Sequence, residues 1–297
     1  MPDAGGLSPG MGWSAVVVNY NAGAALLDCV ASLELAGGIV DIVVVDNDSV
    51  DGSAESLARA HPGATLVRAG ANLGYARAAN LGIAATKAPV VAVLNPDTVL
   101  RSGAAPAVLA RFAAEPDLAA VGPRLLNPDG TVYPSARSIP SVIDAVGHGL
   151  LFFVWPANPY TRRYRQTEAD PGQARDVDWV SGAAVWLRRS ALDEVGGWDE
   201  RFFMYVEDVE LCSRLRAARW RVAYEPGAAV EHRLGVSTAG APYRMIAAHH
   251  RSLLRFAARR FTGPKRLLLP PAAGFLGVRA LLAMAHHRAG TITARNR

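Results

Sequence analysis

The sequence predicts an α/β fold: a mostly parallel central sheet with helices on both faces, followed by a basic helical tail. Three observations carry this. Short Val-rich runs alternate with segments of helical period between residues 14 and 94. Those runs are apolar throughout, as in strands buried on both faces, where one-sided strands would alternate. Apolar residues make up 51% of the 297, enough for a sizeable core, which excludes a wholly disordered chain.

Taken in order, residues 14–19 read as the first strand and 24–35 as a helix closed by Gly37 and Gly38. Residues 39–45 form a second strand, 51–60 a helix, 64–68 a third strand, 75–86 a helix and 90–94 a fourth strand. Sheets of this kind gather functional groups at the carboxyl ends of their strands. Asn19-Tyr20-Asn21, Asp46-Asn47-Asp48 and Asn95-Pro96-Asp97 stand there. Asn, Asp and Pro are also ordinary turn formers, but three such clusters at one edge single that edge out.

Beyond residue 100 the pattern is less regular. Residues 126–130 carry a turn signal, and 138–176, mixed in Pro, Arg and aromatics, read as an irregular loop over the sheet edge. Residues 179–188 read as a strand. Residues 208–220 read as a helix with Leu211, Leu215 and Ala218 on one face, and 221–224 and 229–231 as short strands. The chain divides into a leader (1–12), a body (13–235) and a basic amphipathic helical region (236–297).

The net charge of +5 hides an asymmetry. From His232 to Arg297 there are twelve Lys/Arg and no Asp or Glu, so the preceding residues carry a net −7. A basic tail on an acidic body points to an anionic partner. Within the tail, Arg251, Arg255 and Arg259 fall on one helical stripe, and Ile246, Leu253, Phe256 and Ala257 largely on another face. That is the pattern of an interfacial helix on an anionic membrane; a helix packed on the acidic body is the alternative. Residues 267–285 are the one candidate span, interrupted on this reading by Pro270, Pro271 and Arg279. Residues 1–12 carry no positive charge and no apolar run, so they are not expected to act as a secretory signal.

Several classes are excluded by absent motifs. There is no G-x-G-x-x-G after the first strand, no P-loop and no G-x-S-x-G. Cys29 and Cys212 form no metal or disulfide framework. The tail has no recognised nucleic-acid motif and few stacking aromatics, which argues against a nucleic-acid partner. What remains is a set of polar residues: Asp97 at a strand end, Glu207-Asp208 and His232. A carboxylate such as Asp97 can hold a divalent cation against a diphosphate. Asp208 opens a helix, whose N-terminus favours the ionised form and suits a general base; it is equally an ordinary helix cap.

In order and local sequence, these residues sit within a longer series of motifs. Val16–Asn21, Val43–Ser49, Asn72–Asn80, Leu94–Thr98, Trp179–Ala183 and Gly196–Phe203, followed by Glu207-Asp208 and Glu231-His232, resemble family-2 glycosyltransferases. The likeness covers about residues 13–235 and is nearest to bacterial rhamnosyltransferases of cell-wall polysaccharide synthesis. It implies the GT-A nucleotide-diphospho-sugar transferase fold for the body. It also implies that Tyr20 packs on the nucleobase, Asp46 bonds its edge, and Asn72, Gly74 and Arg77 line the nucleotide path with Asp97. The family's Asp-x-Asp metal motif stands here as Asn95-Pro96-Asp97. Asp97 and His232 are then the implied ligands of Mn²⁺ or Mg²⁺, Asp208 the catalytic base, and Trp198, Asp199 and Glu207 acceptor residues.

The implied reaction is inverting transfer of a sugar, L-rhamnose from dTDP-rhamnose, to a lipid-linked saccharide such as polyprenyl-diphosphate-N-acetylglucosamine. The expected location is cytoplasmic, peripheral on the inner face of the cell membrane. A UDP-sugar donor for another surface polysaccharide, or a non-catalytic sugar-nucleotide binder, are the alternatives. Uracil and thymine share a pairing edge and differ by one methyl, which discriminates by only ~1–3 kcal/mol.

Overall fold

A computed structural model describes residues 11–152, 154–233 and 242–295. Most of the leader and the join between body and tail lie outside the described residues.

The first half follows the expected alternation. Strands β1 (Trp13–Asn19), β2 (Ile39–Asp46), β3 (Thr65–Arg68) and β4 (Val90–Leu94) pair in parallel, crossed by helices α1 (Ala25–Glu34), α2 (Ser53–Ala60) and α3 (Tyr75–Ala84). After them come β5 (Thr98–Leu100), α4 (Ala104–Ala114), β6 (Leu118–Leu126), β7 (Val132–Tyr133) and β8 (Ala136–Arg137). Next are α5 (Val142–Leu151), α6 (Pro159–Arg165), β9 (Arg175–Asp176), β10 (Trp179–Val180), β11 (Ala184–Arg188), α7 (Arg189–Val195), α8 (Glu207–Ala217) and β12 (Arg221–His232). The tail is α9 (Pro242–Arg260), a 3-10 segment (Gly263–Leu268) and α10 (Leu269–Arg295).

The sheet runs β3-β2-β1-β4-β11-β6-β12-β5. It is mixed: β11 is antiparallel to both β4 and β6, and β5 to β12, while β6 and β12 are parallel. Alternation along β1 explains the two-sided burial. Trp13, Ala15 and Val17 join α1 and α4 in one core layer, and Val16 and Val18 join α3, α7 and α8 in the other. This places Asn19, Asp46 and the turn after β4 at one edge, as the sequence indicated.

Several expectations change. Residues 100–126 hold a central strand and a full helix. Pro123 inside β6 masks the strand, because proline cannot donate to the ladder. The partner strand accommodates it: β12 pairs Glu225 with Pro123 and then slips register before Ala229, so the two expected short strands are one bulged strand. Residues 179–188 split into β10, which pairs with β8, and β11 in the main sheet. The stretch 138–176 carries two capped helices. Ser141 Oγ accepts from Asp144 N (3.1 Å) at the start of α5, and Asn158 Oδ1 from Thr161 N (2.9 Å) at the start of α6, where Pro159 takes the first position. Likewise, Pro270 and Pro271 open α10 rather than interrupt it, since first-turn N–H groups have no intrahelical partner.

The tail is seated on the body. Ser252 Oγ donates to the Met204 carbonyl (2.9 Å), Arg259 pairs with Asp199 and Glu210, and the Arg255 guanidinium lies 5.8 Å above the Phe202 ring. Two of the three stripe arginines therefore face protein, which corrects the reading of α9 as a basic helix turned to a membrane.

Candidate active site

The carboxyl edge of the sheet opens into a cavity of about 610 Å³. Its floor is Val18, Tyr20, Asn47 and Asn95–Asp97 from the strand ends. One wall is Asn72–Tyr75 at the start of α3, and another the 181–183 segment with Val206–Val209 at the start of α8. His232 closes it from the end of β12, and α9 contributes Arg244, Met245, His249, Leu253 and Phe256.

Asp97 and His232 meet at this edge. β12 and β5 pair His232 with Thr98, which sets His232 Nε2 3.2 Å from Asp97 Oδ1, both side chains nearly inaccessible. Asn95 Nδ2 stands 3.4 Å from the same ring nitrogen, and His232 Nδ1 is buried without a partner. Two donors each about 2.1 Å from one ion, at right angles, stand about 3.0 Å apart, so the pair fits a divalent cation. Among the described residues no cluster of three or more carboxylates, imidazoles or thiols could hold a metal. The remaining ligands would be phosphate oxygens and water, the usual shell of a hard cation bound with a diphosphate.

Asp208 sits in the first turn of α8, half-buried against the cavity. Its Oδ2 accepts from Gly182 N (2.9 Å) and its Oδ1 from Val209 N (2.8 Å). Burial nevertheless raises its pKa, outweighing those two donors. Beside it Glu207 is buried, with Oε2 unpartnered; burial first, and the Asp208 carboxylate second, push its pKa well above the usual range. Burial pushes Glu207 further toward its neutral form than Asp208, whose two N–H donors favour the ionised form.

The loop that presents them is fixed by Gly74 and Tyr75. Tyr75 N donates to Phe203 O (2.7 Å) and its hydroxyl to Gly182 O (2.6 Å). Gly74 has φ +84°, and a Cβ there would lie 2.5 Å from Phe203 O, so only glycine allows this approach. Tyr75 also stacks edge-on to Trp198 at 5.7 Å.

The structure thus brings Tyr20, Asn72, Gly74, Asp97, Glu207, Asp208 and His232 to one cavity. Four other indicated residues do not line it. Asp46 is buried behind, bonded to Asn19 Nδ2 (3.1 Å). Arg77 is on the exposed side of α3, 3.4 Å from Glu200. Trp198 lies beneath Tyr75, and Asp199 pairs with Arg201 and Arg259. Sequence reasoning missed three contributions. Asn47 accepts from Leu73 N (2.8 Å) and donates to Asn72 Oδ1 (3.1 Å), clamping the nucleotide-side loop. Arg137 lines the cavity with its guanidinium 5.0 Å from the Trp179 ring and 5.6 Å from those of Tyr133 and Tyr164. The wall from α9 was hidden because its apolar residues were assigned to a membrane; Leu253 and Phe256 line the cavity instead.

A mixed sheet with a cation-competent Asp–His pair and a helix-opening carboxylate at one edge defines a GT-A glycosyltransferase. The chain belongs to glycosyl transferase family 2, whose pattern matches residues 14–196. It is 41% identical over 260 residues to the N-acetylglucosaminyl-diphospho-decaprenol L-rhamnosyltransferase of Mycobacterium tuberculosis, covering 84% of each chain. Its fold matches a mannosyltransferase from Pyrobaculum calidifontis in complex with GDP-Man and Mn²⁺ (TM-score 0.57, 17% identity, 95% of this chain and 80% of that one). It also matches GalNAc-T7 with UDP, GalNAc and Mn²⁺ (TM-score 0.62, 15% identity, 86% of this chain and 49% of that one).

Proposed function

We propose that this glycosyltransferase moves L-rhamnose from dTDP-rhamnose to a hydroxyl of a polyprenyl-diphosphate-linked N-acetylglucosamine, with inversion at the anomeric carbon. The observation that carries the reading is that Asp208 and the Asp97–His232 pair line one cavity. The relative named above supports the choice of sugar and acceptor.

Tyr20, Asn47 and Asn72 would seat the nucleoside. Asp97 and His232 would hold Mn²⁺ or Mg²⁺, which when bound offsets charge on the departing diphosphate. Asp208 takes the acceptor proton as its hydroxyl attacks the side of the sugar opposite the leaving group. Its raised pKa makes it a stronger base than a solvated carboxylate, and the Gly182 and Val209 N–H groups keep it aimed. Glu207, whose burial favours its neutral form, can hydrogen-bond the acceptor beside it. The transition state has oxocarbenium character, as in other glycosyl chemistry.

The test is a donor panel of dTDP-rhamnose and UDP-sugars with a polyprenyl-diphosphate-N-acetylglucosamine acceptor, scored by product mass, with the anomer read by NMR. Transfer from a UDP-sugar in preference to dTDP-rhamnose would replace the donor. Retention of anomeric configuration would remove Asp208 from the role of base.

A further inference from the structure

Helices α5 and α10 wear their apolar residues outward. On α5, Val142, Val146 and Leu150 recur at i, i+4, i+8 with Ile143 beside them, and all are exposed, Ile143 by 70%. Just beyond, Val154 is exposed by 81% and Trp155 by 52%. On α10 the outward positions include Val278, Leu281 and Leu282, preceded by Leu267 and Leu268 in the 3-10 segment. Arg279 is on the body-facing side of α10, among apolar neighbours such as Phe275, and lies 2.9 Å from His250 Nε2 of α9. A surface helix ordinarily turns a polar face to water; these two turn apolar side chains there.

The two helices meet, which sets the stripes on neighbouring elements. A Cβ on Gly149 of α5 would stand 2.8 Å from the Phe275 ring of α10 and 3.3 Å from Arg279 Nε, so the helices touch backbone to side chain. An apolar face of this extent on a monomer marks an interaction site. Its α10 end is cationic: Lys265 and Arg266 lead into α10, and no acidic residue follows Glu231, whereas Arg162 and Arg163 of α6 are paired with Glu168 and Asp144. The face also adjoins the cavity. Pro140, two residues before the α5 stripe, lines the cavity, as do Tyr164 of α6 and Met245 and Phe256 of α9.

We infer that the joined outer face of α5 and α10 rests in the headgroup region of an anionic lipid bilayer and holds the cavity against the membrane surface. Its purpose rests on the proposed lipid-linked acceptor, whose diphosphate would lie at that level. The residues 263–288 are long and apolar enough to cross a membrane by length and composition. Crossing would pull Arg279 off His250 and part α10 from α5 and α9, so attachment is along the surface.

Trp155 makes the test direct. Of the six tryptophans, the other five are buried, so a change in emission on lipid binding reports Trp155. The full-length protein is mixed with vesicles of equal phosphatidylglycerol and phosphatidylcholine, and with phosphatidylcholine alone. The expected result is a blue shift and co-sedimentation with the anionic vesicles, weakened by salt. The double variant Ile143→Asp/Leu281→Asp, at positions about two-thirds exposed, loses binding at least tenfold while keeping the wild-type Tm and turnover on an acceptor with a short, water-soluble lipid. Trp155→Phe removes the shift and keeps sedimentation.

Wild-type binding by the double variant would overturn the inference. So would a dimer that the double variant converts to monomer without any vesicle binding, because a second copy would then cover the face. Resistance to carbonate extraction would replace surface attachment by insertion. The vesicle measurement needs no donor, acceptor or turnover, so a wrong choice of substrate would leave it intact and fail only in the donor panel.

Discussion

Gly182 N donates to Asp208 Oδ2 at 2.9 Å, tying the proposed base at the start of α8 to the turn between β10 and β11. The same turn is held from the other side by the Tyr75 hydroxyl on Gly182 O. A carboxylate on a mobile loop would have to find its geometry at each turnover; this one has it in advance.

Asp208→Asn should lower kcat by ~10²–10⁴-fold, the usual cost of losing a general base, with little change in nucleoside-diphosphate affinity. The amide keeps the shape but cannot take the proton. Single-turnover kinetics and calorimetric titration with dTDP separate the two effects. An equal fall in affinity and rate would make Asp208 a binding residue.

Asp97→Ala and His232→Ala should each weaken dTDP binding in the presence of Mn²⁺ and leave the weak binding seen in chelator nearly unchanged. Both would have lost one of two protein donors that stand 3.2 Å apart. The double variant should be little worse than either single one, because one ligand alone cannot hold the ion. Additive losses would mean that the residues act separately.

The legible part of the fold was the part whose signal is local. Residues 13–94 are buried strands and amphipathic helices in strict alternation, and each was found within a few residues. The strand β6 was lost because Pro123 only makes sense beside the bulge at Glu225 on β12, far along the chain. The helix α5 was lost because its apolar stripe points outward and obeys no inward periodicity. In the site, Asp97, Asp208 and His232 were legible as motif residues. Arg137 was not, since its cage of Tyr133, Tyr164 and Trp179 is assembled only by folding. The α9 wall was missed for the same reason: an amphipathic helix does not state whether lipid or a cavity lies against its apolar side.

Glu207→Gln should raise Tm near pH 8 and leave it unchanged near pH 4. Folding raises the pKa of Glu207 well above its ordinary value of 4.5. Between those two values the unfolded chain is ionised there and the folded chain holds the proton. Stability is therefore full below the unfolded pKa and lost as pH rises toward the folded one. Glutamine cannot ionise, so it removes the loss. For a chain of this size each kcal/mol relieved is worth about 2–4 °C. A Tm difference between variant and wild type that stayed constant from pH 4 to pH 8 would show that Glu207 does not titrate between the states.

Arg259→Ala should loosen the α9 wall and raise the acceptor KM more than it changes donor binding. Arg259 bridges Asp199 and the buried Glu210, joining α9 to the loop before α8 and to α8 itself. The guanidinium is 39% exposed, and Glu210 keeps Arg214 at 2.8 Å, so the charge left behind is still paired. The stability cost should then be about 1 kcal/mol rather than the larger cost of an orphaned buried carboxylate. The effect on the cavity should be greater. Leu253 and Phe256 lie within two turns of Arg259 and line the cavity, whereas Asn47 and the Asp97–His232 pair stand at strand ends, across the cavity floor, and Asn72 precedes α3. Donor and acceptor binding should therefore separate: the KM for the lipid-linked acceptor rises several-fold, and dTDP affinity holds within a factor of two. Arg259→Lys, which restores the charge but not the fork that reaches two carboxylates, should recover only part of the KM. Equal weakening of donor and acceptor would show that α9 supports the whole cavity. No change in either would show that the wall stays in place through its other contacts, Ser252 with Met204 and Arg255 with Phe202.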